Sequence, residues 1–175
     1  PNRRGHALAG ELMSLFVRDE LRRYADERTE RPTVPSPAVT MPFEKGSFTP
    51  FAEVKLTGNR GFVPYREGRT RWGEGLVSTN VGDRVSFTFT GSTAAFLYRK
   101  GDFADGMGRV KVAVDGAELP ERPRGFAKGV SWWFTPPFWL CRGKAGTHTV
   151  EIETLPPERP GDPVGFRLAA LMVSP

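Results

Sequence analysis

The stretch Gly82-Asp83-Arg84-Val85-Ser86-Phe87-Thr88-Phe89-Thr90-Gly91-Ser92 decides the fold class. Val85, Phe87 and Phe89 alternate with Ser86, Thr88 and Thr90, and a period of two is that of a strand with one face buried and one face wet. The same pattern recurs downstream. Val110, Val112 and Val114 alternate with Lys111 and Asp115, and Val150 and Ile152 alternate with Thr149, Glu151 and Glu153. Ala94 to Tyr98 and Ser131 to Phe134 are further candidate strands, and Phe166 to Val173 is apolar on both faces. Turn residues punctuate them at Val81-Gly82-Asp83, Asp105-Gly106, Asp115-Gly116, Gly143-Lys144-Ala145-Gly146 and Pro160-Gly161-Asp162-Pro163. About seven short strands with such punctuation predict a mainly β fold, an antiparallel β-sandwich of jelly-roll type over residues 51–175.

Upstream the pattern changes twice. From Thr29 to Pro50 the prolines Pro32, Pro35, Pro37, Pro42 and Pro50 alternate with Thr, Ser and Ala, which reads as an extended linker over 29–50. Before it, Leu8, Leu12, Leu15, Phe16, Leu21 and Tyr24 recur at three- and four-residue spacing. That spacing predicts one amphipathic helix over residues 3–27, with Asn2 as its N-cap. The helix needs a surface to bury its stripe, because helices in water owe most of their stability to packing. A lone helix, a linker and a complete sandwich imply that the chain begins inside something larger.

Composition narrows the function classes. The 25 Lys and Arg against 20 Asp and Glu leave +5, but residues 1–31 carry 7 bases and 6 acids, so no basic tail stands out and no nucleic-acid partner is expected. Apolar runs such as Ala169 to Val173 are far shorter than a bilayer span, so no membrane partner is expected. Cys141 is the single cysteine and cannot form an internal disulfide. With two histidines beside it, no metal site and no cofactor are expected.

The candidate chemistry is sparse. His6 and His148 are the only imidazoles, no Gly-x-Ser-x-Gly turn is present, and neither histidine has a sequence-adjacent partner, so no catalytic residue is assigned to this chain. His148 shares a strand face with Val150 and Ile152 and reads as a cap on the core. Asp102 and Asp105 supply only two of the six to eight oxygens that calcium needs, and read as a solvated turn. Arg60, Arg66, Arg69 and Arg71 interleave with Phe62, Tyr65 and Trp72 between Gly58 and Gly75. Basic and aromatic residues so mixed can hold single-stranded nucleic acid, but Glu67 and Glu74 dilute the charge, and we read a solvated loop or one reaching over a neighbouring cleft. Trp132, Trp133, Phe134, Phe138 and Trp139 lie within eight residues. They fill a sandwich core, seal a junction to another domain, or present flat rings to sugars. The rings assigned to a sugar platform are Trp72, Trp133 and Trp139.

The opening run Pro1-Asn2-Arg3-Arg4-Gly5-His6-Ala7-Leu8-Ala9 resembles the end of the catalytic domain of SGNH (GDSL-type) hydrolases, where an Asp-x-x-His-Pro-Asn block precedes a final helix. Pro1 and Asn2 match the tail of that block, Gly5 and His6 the residues after it, and residues 1–28 the last helix of the domain. In the family pattern the catalytic His would stand immediately before Pro1, its Asp three residues earlier and the nucleophilic Ser far upstream. His6 matches a structural histidine at the helix start.

The downstream half resembles the galactose-binding-like, jelly-roll accessory domains that accompany such esterases. The matching stretches are Gly82 to Ser92, Gly108-Arg109-Val110-Lys111-Val112-Ala113-Val114-Asp115-Gly116, and Gly146-Thr147-His148-Thr149-Val150-Glu151-Ile152. The two resemblances together imply the C-terminal portion of a serine esterase acting on acylated carbohydrate, with the sandwich positioning substrate or bracing the hydrolase domain. They also imply a secreted or periplasmic setting, with an acylated glycan and the upstream hydrolase domain as partners. The alternative is a non-catalytic carbohydrate-binding or interaction module.

Overall fold

Nine strands, all paired antiparallel, follow one another along a computed structural model that describes residues 13–15, 17, 18, 45–66, 74–102, 107–129 and 135–175. They are β1 (Ser47–Pro50), β2 (Leu56–Arg60), β3 (Val63–Arg66), β4 (Glu74–Ser78), β5 (Arg84–Tyr98), β6 (Val110–Val114), β7 (Ala117–Glu118), β8 (Pro137–Thr154) and β9 (Phe166–Ser174). The hydrogen-bonded order is β3-β4-β9-β5-β8-β6-β7, with β1 added to β9 and β2 added to β5.

The long strands β5 and β8 belong to both layers of the sandwich. The first half of β5 pairs with β2 and with the second half of β8, whereas its second half pairs with β9 and the first half of β8. The handover falls between Gly91 and Thr93, where the register shifts. Ring positions show how sharply the strand turns there. Phe87 and Phe96 would be about 30 Å apart on a straight strand, yet the Phe51 ring meets them at 5.4 Å and 6.5 Å. The nine-residue separation would also place them on opposite faces. The inward-facing positions of β5 change from odd (Phe87, Phe89) to even (Ala94, Phe96) across this point, where residues 143–145 of β8 lie opposite Ser92 alone, and that irregularity bends β5 and leaves both rings in the interior.

That interior holds Val85, Phe87, Phe96, Val110, Val112, Val150, Ile152, Phe166 and Leu168, all fully buried. A smaller apolar cluster of Leu97, Ala169 and Ala170, flanked by Phe48 and Met172, forms on the alternate face of β5 and β9. One buried polar knot closes the layers, in which Ser78 Oγ contacts Thr154 Oγ1 at 2.9 Å and accepts the Phe166 N–H at 2.9 Å. The β6–β7 hairpin turns at Asp115 and Gly116, whose φ values of 52° and 81° are those of a two-residue turn matched to strand twist.

The sandwich agrees with the predicted fold class, and four local expectations are corrected. Residues 47–50, read as linker, form β1 in register with Val173 to Ala170. Ala94 to Tyr98, read as a strand of its own, is the second half of β5, which runs on through Gly91-Ser92. Gly143 to Gly146 is not a turn between strands, because β8 runs through it, with Arg142 opposite Thr93 and Gly146 opposite Gly91. The segment read as a solvated loop contains β2, β3 and the start of β4.

The chain divides into two units, Pro1–Val39 and Thr40–Pro175. In the first, the described residues 13–15, 17 and 18 are helical, and Leu15, assigned to the apolar stripe, is 48% exposed. The rest of the expected helix and residues 29–44 of the linker lie outside the described residues, as does the candidate strand at Ser131 to Phe134.

Candidate functional site

A second bulge builds the site. Ala94 and Ala95 of β5 face Cys141 and Trp139 of β8, so Leu140 is the extra residue on the longer strand. Leu140 and Cys141 both pack on the core, although they are neighbours in sequence. The shift carries Arg142 to the outer side, which Trp139 already occupies. Residues three apart on a regular strand point to opposite faces, but here the Arg142 guanidinium lies 3.9 Å from the centre of the Trp139 indole.

The half-exposed Trp139 and exposed Arg142 line a cleft of about 390 Å³ with Leu119, Pro120, Glu121 and Phe138. That volume falls within the range of small-molecule sites, about 300–1,000 Å³. Phe138 is buried and tilted against Phe96 at 5.2 Å, which anchors the wall to the core. Glu121 places a carboxylate at the rim. Burial raises the Tyr98 hydroxyl above its ordinary value, and the Glu121 charge adds to the rise, so this phenol stays protonated at neutral pH. The cleft thus combines an indole, an apolar wall, one acceptor and one cationic donor. Such a set can bind and orient a ligand by stacking and hydrogen bonding.

Of the three rings assigned to sugar stacking, Trp139 lines this cleft, while Trp72 and Trp133 lie outside the described residues, as do His6, Arg69, Arg71 and Asp105. The other sequence-flagged groups have structural roles. His148 is 3% exposed, is tilted against Phe89 and shares a 2.7 Å contact between Nδ1 and Asp115 Oδ2. Asp115 Oδ1 also accepts the Thr149 N–H at 2.9 Å, so the carboxylate pins the hairpin to β8. Asp102 accepts the Gly129 N–H at 2.7 Å. Arg66 pairs with Glu74, Arg60 donates to the Gly82 carbonyl, and Phe62 is buried. Burial raises the Cys141 thiol, with Asp115 adding to the shift and the Ala94 backbone opposing it, which disfavours the reactive thiolate.

Among the described residues no cluster of three or more His, Cys, Asp or Glu is placed to hold a metal ion. No helix among them is long and apolar enough to cross a membrane. Sequence reasoning missed Arg142 and Glu121. Arg142 was hidden by the assumption of regular alternation, and Glu121 by its distance in sequence from Trp139.

No protein-family model matches the chain, and no curated protein matches it either. Solved structures do. A two-domain esterase (CEX) active on acetylated mannans superposes with a TM-score of 0.78 at 20% identity, covering 99% of this chain and 47% of the esterase. The same esterase co-crystallized with mannopentaose gives a TM-score of 0.74 at 20% identity, over 99% of this chain and 46% of that one. A xanthan lyase from Paenibacillus matches at 0.55 and 16% identity, over 84% of this chain and 14% of the lyase. The chain therefore spans about half the length of the esterase it resembles, and these likenesses establish the shared fold.

Proposed function

We propose that the sandwich binds the glycan of an acylated carbohydrate in the Trp139 cleft and presents it to an SGNH-type hydrolase domain in the protein to which it belongs. The observation that carries this reading is the extent of the likeness to the acetylated-mannan esterase, 99% of the chain and not the sandwich alone. The Pro1 to Ala9 run, which resembles the end of an SGNH domain, supports the same assignment.

The cleft supplies suitable contacts. An indole offers an apolar plane for the C–H face of a pyranose ring once the Arg142 guanidinium resting on it gives way, and Glu121 accepts hydroxyl protons. Leu119, Pro120 and Phe138 provide an apolar wall for an acyl methyl group. The resemblance assigns bond cleavage to residues upstream of Pro1. There a serine would take the acyl group as the sugar hydroxyl leaves, and water would then release the acid.

Titration of the 175-residue protein with acetylated and deacetylated manno-oligosaccharides, followed by NMR, tests the binding step. Saturable shifts at Trp139 and Arg142, stronger for the acetylated ligand and lost in Trp139→Ala, are expected. No binding at millimolar concentration, or binding untouched by Trp139→Ala, would defeat the proposal. Release of acetate by residues 1–175 alone would defeat the assignment of chemistry to an upstream domain.

A further inference from the structure

A second cleft, sharing no residue with the first, lies between the β7–β8 and β8–β9 connections. It encloses about 510 Å³ and is lined by Arg124, Phe126, Lys128, Arg159, Gly161 and Asp162, with Pro160 completing the wall. One wall is held firmly, because Gly125 N–H donates to Gly108 O at 2.8 Å and Gly101 N–H to Gly125 O at 2.9 Å, while Ala127 N–H reaches Gly101 O at 2.9 Å. The other wall is a turn in which Asp162 N–H donates to Arg159 O at 3.1 Å.

The charges divide into two sets. Arg124 bridges Glu158 at 3.0 Å and Asp162 at 3.0 Å, and Arg109 holds the other Glu158 oxygen at 2.8 Å. Both carboxylates are thereby engaged by Arg124, which lines the cleft, and Glu158 by Arg109 as well. Asp102, a further acid among the described residues, accepts Gly129 N–H on its Oδ2. Lys128 and Arg159 are exposed, line the cleft, and have no carboxylate within ion-pair distance among the described residues. Near them the Phe126 ring is half-buried, with the Arg124 guanidinium 5.7 Å from its centre.

We infer that this cleft is an anion-selective saccharide site, in which Phe126 meets a sugar ring and Lys128 and Arg159 bind a carboxylate or phosphate carried on it. Two cations with no carboxylate in ion-pair reach among the described residues, beside an aromatic face, select a charged sugar over a neutral one. An anion satisfies both cations, whereas a neutral ligand must displace their hydration without replacing it. The inference does not depend on the Trp139 cleft.

The test titrates the full 175-residue protein with trigalacturonic acid, its methyl ester and glucose 6-phosphate at 50 mM and 300 mM salt, reading amide shifts and calorimetric affinity. Trigalacturonic acid is expected to shift Phe126, Lys128 and Arg159, to bind at least fivefold more tightly than the uncharged ester, and to weaken as salt rises. Equal affinity for glucose 6-phosphate would mean that the site reads any sugar-borne anion; weaker binding of it would assign the carboxylate as the recognised group. Lys128→Ala and Arg159→Ala should each weaken binding severalfold, and the double variant should abolish it with the unfolding temperature unchanged. Trp139→Ala should leave it intact. Equal binding of acid and ester, no response to either anion at millimolar concentration, or wild-type affinity in the double variant would overturn the assignment.

Discussion

At each of the two clefts an arginine lies over an aromatic ring, and the surroundings of the two arginines give them different roles. Arg124 sits 5.7 Å from the Phe126 centroid and is held by Glu158 and Asp162, both at 3.0 Å. Arg142 sits 3.9 Å from the Trp139 centroid, is exposed, and has no carboxylate within ion-pair distance among the described residues. A guanidinium forked between two carboxylates joins two loop segments, and moving it breaks two charge-assisted bonds at once. A guanidinium resting on an indole is retained by a cation–π contact of about 0.5–1 kcal/mol at an exposed site. The same pairing of residue types therefore builds a frame in one cleft and a movable cover in the other.

The largest expected effect is on binding. Trp139→Ala should weaken acylated-glycan affinity tenfold or more, about 1.4 kcal/mol, while leaving trigalacturonic acid binding unchanged by calorimetry; parallel losses at both clefts would mean that they are one site. Next in size is Arg124→Ala. Partly exposed pairs are worth about 0.2–1 kcal/mol each, so losing two should cost about 1 kcal/mol and lower the unfolding temperature by about 2–4 °C. Arg124→Lys should recover only part of this, since an ammonium lacks the planar fork that spans both acids. Unfolding of Arg124→Ala at the wild-type temperature would show that Arg124 does not act as a frame.

Arg142→Ala tests the other half of the contrast. Uncovering the indole removes a contact that the sugar must displace, so neutral-glycan affinity should rise about two- to fivefold, the equivalent of 0.5–1 kcal/mol. A loss would show that Arg142 contributes more as a hydrogen-bond donor than it costs as a cover. Calorimetry on Arg142→Ala and Arg142→Lys separates the two.

The same contrast marks what could be read from the sequence. Strict alternation at Val85 to Thr90, Val110 to Val114 and Thr149 to Glu153 exposed the central strands, because a half-buried ladder imposes a period of two on its residues. Where the strands leave that period they become illegible. Gly91-Ser92 and Gly143 to Gly146 carry turn composition inside continuous strands, since a bulge needs the same small residues as a turn. β2, with Leu56 the only apolar residue among Thr57, Gly58, Asn59 and Arg60, presents no apolar alternation at all. Trp139 was visible as one ring of the aromatic cluster from Trp132 to Trp139. Its partner Arg142 depended on the Leu140 bulge, and the Arg124 and Arg159 walls meet only through long-range folding.

The smallest effect comes from a carboxylate tethered by two cations away from both clefts. Glu153 on β8 lies 3.2 Å from Lys111 on β6 and also pairs with Arg84 on β5. Burial alone would raise its carboxyl, but hydrogen bonds from Lys111 and Arg84, together with both charges, more than offset this and hold it below its ordinary value of 4.5. A depressed carboxylate contributes stability that is fully present above the unfolded-state value and is lost as pH falls through the lower folded-state value. Glu153→Gln should therefore unfold at a lower temperature than wild type above about pH 5, with the difference narrowing below pH 4.5 and closing as the native carboxyl protonates. Unfolding temperatures between pH 3 and 7 supply the measurement. A gap that persisted at the acid end would assign the loss to packing, and Arg84 would then belong with Arg142 as a resting cation and not with Arg124 as a tethered one.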